Sequence, residues 1–100
     1  MGFGVLLKEI KKILQRHKKD LSQLGVRALA IFGSVVRHEA TSKSDIDILI
    51  EFDSKKGLFG FVGVKRFLEK ILHREVDLVT KSALHPALKH RILKEAQHVF

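Results

Sequence analysis

Apolar residues recur at three- and four-residue steps through the first quarter of the chain. Phe3, Leu6, Leu7, Ile10, Ile13, Leu14, Leu21 and Leu24 share one face with His17, and lysines fill the other. That spacing predicts one amphipathic helix, with Gly25 available to end it. From Val26 to Phe32 the period is lost. A short apolar run, interrupted by Arg27 and bounded by Gly25 and Gly33, predicts a buried strand. Ile46, Ile48, Leu49, Ile50 and Phe52 predict a second strand, entered through the polar stretch His38 to Ser44. Asp53 to Gly57 reads as a turn. Helical spacing returns at Leu58, Val62, Phe67, Leu68, Ile71 and Leu72, weakened at its start by Gly60 and Gly63. Glu75 to Thr80 predicts a third strand. Pro86 opens a last helix at the position where its missing N–H costs nothing, with Leu88, Ile92, Leu93 and Ala96 on the inner face. Including a short helical segment after Gly33, the order is α-β-α-β-α-β-α. It predicts an α+β fold: a small mixed sheet with helices packed on it.

Composition narrows this picture. The 100 residues are expected to form a single domain, residues 1–100, without repeats or linkers. There is no cysteine, so no disulfide framework and no thiolate chemistry; a reducing, cytoplasmic setting is expected. No apolar stretch reaches the roughly 18 residues of a membrane span, and Met1 to Leu7 lacks the features of a signal peptide. No membrane partner is expected. The net charge of +8 is concentrated on residues 1–20 and 81–100, whereas the middle of the chain is nearly neutral. Two readings stand side by side: a solvated lysine-rich surface, or attraction to an anionic partner. Nucleic acid is disfavoured as that partner, because no aromatic stacking platform and no familiar DNA-binding motif accompanies the charge.

Three groups of residues carry candidate chemistry. In Asp45-Ile46-Asp47, positions i and i+2 of a strand point to one face, so two carboxylates project together and repel unless a cation lies between them. Hard oxygen ligands of this kind select Mg²⁺ or Mn²⁺. The plainer alternative is a solvated strand face. Asp77 lies within Val76-Asp77-Leu78-Val79, where an acid is costly unless paired, to Arg74 for instance, or bound to metal. If the third strand lies beside the second, three carboxylates converge. They could then hold two metals for in-line phosphoryl or nucleotidyl transfer. Gly33-Ser34 follows the first strand. Glycine allows close approach of a ligand, Ser34 suits an N-cap with N–H groups free for a phosphate, and Arg37 adds a charged donor. An ordinary strand-to-helix turn is the alternative.

Taken in order, Phe32-Gly33-Ser34, Arg37, Ser44-Asp45-Ile46-Asp47-Ile48-Leu49-Ile50 and Val76-Asp77-Leu78-Val79-Thr80 resemble the signature of the DNA polymerase β-like nucleotidyltransferases. The closer resemblance is to the minimal nucleotidyltransferases of the antitoxin group, helped by Ser82-Ala83-Leu84-His85-Pro86, and it covers residues 26 to 96. The resemblance implies a polymerase β-like nucleotidyltransferase fold, two Mg²⁺ ions as cofactor and ATP as the nucleoside triphosphate substrate. It implies Asp45, Asp47 and Asp77 as catalytic and metal-binding residues, with Asp77 helping to activate the acceptor. Gly33, Ser34, Arg37 and Ser44 are the implied nucleotide-binding positions. It implies a partner too, a helical HEPN-domain toxin that receives AMP on a tyrosine. This chain contains no tyrosine, so such an acceptor belongs to another molecule. The competing reading is a binding module that neutralises its toxin by occlusion, without turnover. Where many members carry glycine after the arginine, this chain has His38. The six histidines show no metal-ligand spacing and read as surface or capping residues. Phe59, Phe61 and Phe67 read as core, with a docking patch for a partner or for a homo-oligomer as the alternative.

Overall fold

The computed structural model describes residues 3–41 and 44–100, with side chains from residue 6 onward. Helix α1 spans Phe3–Arg16, α2 Lys18–Gln23, β1 Val26–Phe32, β2 Ile46–Phe52, α3 Gly57–Leu72, β3 Val76–Thr80, α4 Pro86–Glu95 and β4 Gln97–His98. Single 3-10 turns at Ser54–Lys56 and Lys81–Ala83 link β2 to α3 and follow β3. The sheet order is β3-β2-β1-β4. Strand β2 is antiparallel to β1 and parallel to β3, and β4 is antiparallel to β1. The α+β architecture with a mixed sheet is therefore the one expected.

The helix predicted as one piece is two. His17 separates α1 from α2, and its ring Nδ1 lies 2.9 Å from the Ile13 carbonyl oxygen, so a side chain engages the backbone where the helical ladder is interrupted. The break turns the chain while Leu14 and Leu21 on either side of it stay fully buried. Gly25, with φ of 100°, then reverses the chain into β1.

Strand alternation divides the sheet into two unlike faces. Leu29 and Ile31 of β1, Ile46, Ile48 and Ile50 of β2, and Val76 and Leu78 of β3 are buried in one core with Ile10, Leu14, Leu21, Val64 and Leu68 from the first three helices. The registers Ile31↔Ile48↔Leu78 and Ile46↔Val76 run this apolar stripe across three strands. The other face carries Phe32↔Asp47↔Asp77 in one row and Ala30↔Leu49↔Val79 in the next. It is the face that carries two of the three candidate carboxylates.

Helix α4 starts as expected, with Pro86 in its first turn and the His85 ring accepting the Ala87 N–H at 3.1 Å. Its predicted inner face is less complete: Leu88 is 49% and Leu93 37% exposed. Strand β4 had no counterpart in the predicted order, being two polar residues long. It pairs with Ala30 and Ile31, and the Phe100 carbonyl accepts the Leu29 N–H at 3.0 Å. This pairing brings the end of α4 back to the site-bearing face. Of the three phenylalanines, Phe61 packs edge-on against Phe52 and Phe67 against His17, whereas Phe59 is 94% exposed.

Candidate active site

The site is built where β1 ends and β2 begins. Gly33 leaves β1 with φ of 75°, a conformation that costs glycine little and other residues about 1 kcal/mol or more. A side chain is excluded there for a second reason: a Cβ on Gly33 would land on Asp47 Oδ2. The glycine thus lets the β1 turn close directly over the Asp47 carboxylate. The following residues form a compact turn. The Arg37 N–H donates to the Gly33 carbonyl at 3.1 Å, and the Glu39 N–H to the Ser34 carbonyl at 2.8 Å. A helical segment was expected here; the chain makes turns from Gly33 to His38. His38 ends them in the left-handed region, with φ of 60°.

Asp47 lies in register with Asp77 across the parallel β2–β3 pair. Asp47 is half-buried and Asp77 exposed. Burial, above all, pushes the Asp47 carboxyl up to about 6; the Asp77 charge and, less, the Asp45 charge add to it, and the Ser34 backbone N–H works the other way by hydrogen-bonding the carboxylate. Asp45 precedes β2 by one residue and is exposed. It contributes to the local negative potential from outside the strand. Among the described residues no set of three His, Cys, Asp or Glu side chains is already gathered as a cation cage. The donor chemistry nevertheless fits a hard divalent cation: two carboxylates held face to face, one of them raised by desolvation and like charge.

The remaining predicted residues separate. Arg37 faces the Gly33 turn, but its guanidinium is already engaged. Nη1 donates to Glu95 Oε1 at 2.9 Å and Oε2 at 3.2 Å, and Nε to Glu39 at 3.1 Å. The Ser44 hydroxyl accepts the Thr41 N–H at 2.9 Å and so shapes the loop leading to Asp45. Arg74, a candidate partner for Asp77, instead donates to the Thr41 carbonyl at 3.1 Å and steadies the same loop.

Two positions were not singled out from the sequence. Glu69 of α3 accepts the Val76 N–H at 3.0 Å and fixes the start of β3 next to Asp77. Glu95 of α4 accepts the Gly33 N–H at 2.7 Å. Its one signal in the sequence is that it stands alone as an acid among residues 81–100. A cavity of about 200 Å³ separates α4 from the turn, lined by Phe32, Gly33, Arg37, Asp47, Arg91 and Glu95 among others.

Known proteins resemble this chain along nearly its whole length. Residues 7–99 match the nucleotidyltransferase domain family. The protein adenylyltransferase MntA of Thermococcus cleftensis is 43% identical over 94 residues, covering 93% of this chain and 95% of that protein. A solved structure provisionally described as a minimal nucleotidyltransferase superposes with a TM-score of 0.74 at 31% identity, covering 97% of this chain and 95% of the other. A toxin–antitoxin crystal structure with AMP-PNP shares the fold at 18% identity, with a TM-score of 0.66 over 82% of this chain and 71% of the other.

Proposed function

Because this chain belongs to the nucleotidyltransferase domain family, we propose that it transfers AMP from ATP to a partner protein and acts as the antitoxin of a toxin–antitoxin pair. The observation that carries the reading is the Asp47–Asp77 register pair lying against the Gly33 turn, which approaches the Asp47 carboxylate too closely for a side chain. A protein acceptor is supported by the 43% identity to a protein adenylyltransferase. The chain has no tyrosine, so a tyrosine acceptor comes from the partner, which we take to be a HEPN-domain toxin.

In this reading the acceptor hydroxyl attacks the α-phosphorus of ATP. A P–O bond to the acceptor forms, the bond to the bridging oxygen breaks, and pyrophosphate leaves. Asp77, the more exposed carboxylate, takes up the hydroxyl proton. Gly33 and Ser34 orient the triphosphate through the turn, and Arg37 offers a fork of donors at its edge. Asp45, Asp47 and Asp77 would hold Mg²⁺, which when bound offsets the charge of the triphosphate and of the leaving pyrophosphate. Ser44 contributes by shaping the approach to Asp45.

The test is incubation of the protein with labelled ATP, Mg²⁺ and the toxin. Label should appear on a toxin tyrosine, found by mass spectrometry, and vanish with Asp47→Asn. An unmodified toxin that is nonetheless neutralised would replace catalysis by occlusion.

A further inference from the structure

The N–H of Gly33 and the guanidinium of Arg37 point at one place, and that place holds an anion. It is the carboxylate of Glu95, brought from 62 residues away by the last turn of α4. Oε1 accepts from both donors, at 2.7 Å and 2.9 Å, while Oε2 lies 3.2 Å from Arg37 Nη1. The Glu95 side chain is 21% exposed and its Arg37 partner 40%, a partly covered pair at the mouth of the cavity. Two oxygens on one centre, facing a turn N–H and one guanidinium nitrogen, Arg37 Nη1, present the charge and part of the shape of a phosphate. Arg91 lines the same cavity and makes no ion pair among the described residues.

We propose that Glu95 is an internal stand-in for a substrate phosphate, and that the polyphosphate tail of the incoming nucleotide must displace it to reach Gly33 and Arg37. The inference rests on the nucleotidyltransferase reading of this site. Both anions cannot stay: a phosphate seated on Arg37 beside Glu95 and Asp47 would set like charges in contact. Glu95 sits on the final turn of α4, and its side chain keeps contact with solvent. Arg91 remains in the cavity to meet the tail. The protein therefore holds its turn closed when empty, and its apparent nucleotide affinity is lowered by the fraction of molecules whose seat is filled from within.

Titration of the full chain with ATP, inorganic tripolyphosphate and adenosine, in Mg²⁺, tests this in the wild type, Glu95→Gln and Glu95→Ala. ATP and tripolyphosphate should bind both variants about threefold to tenfold more tightly, the order expected when a competing charge-assisted hydrogen bond of a partly exposed pair is removed. Adenosine, having no phosphate, should not change. The Gly33 amide resonance should move in the variants without ligand, and in the wild type on adding tripolyphosphate. If the Ala variant unfolds, the Gln variant decides. ATP affinity that is unchanged or weakened in Glu95→Gln, with the wild type binding ATP, overturns the stand-in and leaves Glu95 an anchor of α4. If neither wild type nor variant binds ATP or tripolyphosphate, the nucleotide reading of the site fails as well.

Discussion

Asp47 and Asp77 lie in register across parallel strands, with Asp47 the more deeply placed. A pair so arranged is a store of repulsion when both are ionised. Burial and the two neighbouring acids lift the Asp47 carboxyl from 3.8 to about 6, so the folded protein keeps a proton there that the unfolded chain has already lost. Between those values the native state binds more protons, and stability falls as pH rises.

The first prediction follows from that sign. Without divalent cations, stability should decline from about pH 4 to about pH 6 and level off above, losing about 1 kcal/mol from this group once screening at a half-buried site is allowed for. Asp47→Asn should remove the decline and stabilise the cation-free protein by a similar amount at pH 7. Urea unfolding at a series of pH values in EDTA measures both. Addition of Mg²⁺ at pH 7.5 should raise the melting temperature of the wild type and leave Asp47→Asn unmoved. Equal shifts in the two proteins would remove Asp47 from the cation site.

The second prediction concerns the turn above that carboxylate. Gly33→Ala sets a methyl group on Asp47 Oδ2 at a residue with φ of 75°. The backbone strain stays unless the turn moves, and the clash is relieved only by moving the turn or by swinging the Asp47 carboxylate out of place. We expect a loss of about 2 kcal/mol or more in stability, and loss of AMP transfer beyond what the stability change accounts for. A folded, fully active Gly33→Ala protein would show that the close approach is dispensable.

These two positions also show what the sequence discloses. Gly33, Asp47 and Asp77 were legible because strand alternation and apolar bounds locate three strands, and the parallel pairing then aligns the acids. The facing of Glu95 onto Gly33 was not legible. It depends on β4, a two-residue polar strand whose pairing with Ala30 and Ile31 carries no periodic signal. The break at His17 was hidden for the opposite reason: the apolar spacing continues across it, and only a side-chain contact to the Ile13 carbonyl marks it. Phe59 shares its composition and neighbourhood with Phe61, yet the helix turns it to solvent and Phe61 toward Phe52.

The third prediction tests the departure at His38. The residue sits at φ of 60°, where glycine is at ease and histidine is not. The ring is exposed, with its backbone N–H donating to the Val35 carbonyl at 3.3 Å. His38→Gly should therefore stabilise the protein by about 0.5–1 kcal/mol, the relief of left-handed strain outweighing the extra freedom of glycine in the unfolded chain. His38→Val, β-branched, should destabilise it by at least as much. Thermal melts of the two variants suffice; the same sign for both would mean that backbone strain at residue 38 is not what they report.

The last prediction separates support from chemistry. Glu69 reaches from α3 to accept the Val76 N–H, one residue before Asp77. Removing that acceptor leaves a half-covered strand donor unmatched and loosens the end of β3 on which the Asp77 backbone is carried. Glu69→Ala should cost about 1–2 kcal/mol and lower the rate of AMP transfer, while Glu69→Gln, which keeps an acceptor oxygen, should restore most of both. ATP binding should be nearly untouched in either, since Glu69 does not line the cavity beside Gly33. A Glu69→Gln protein as slow as Glu69→Ala would point to the charge of Glu69, rather than its hold on the Val76 N–H, as the source of the effect.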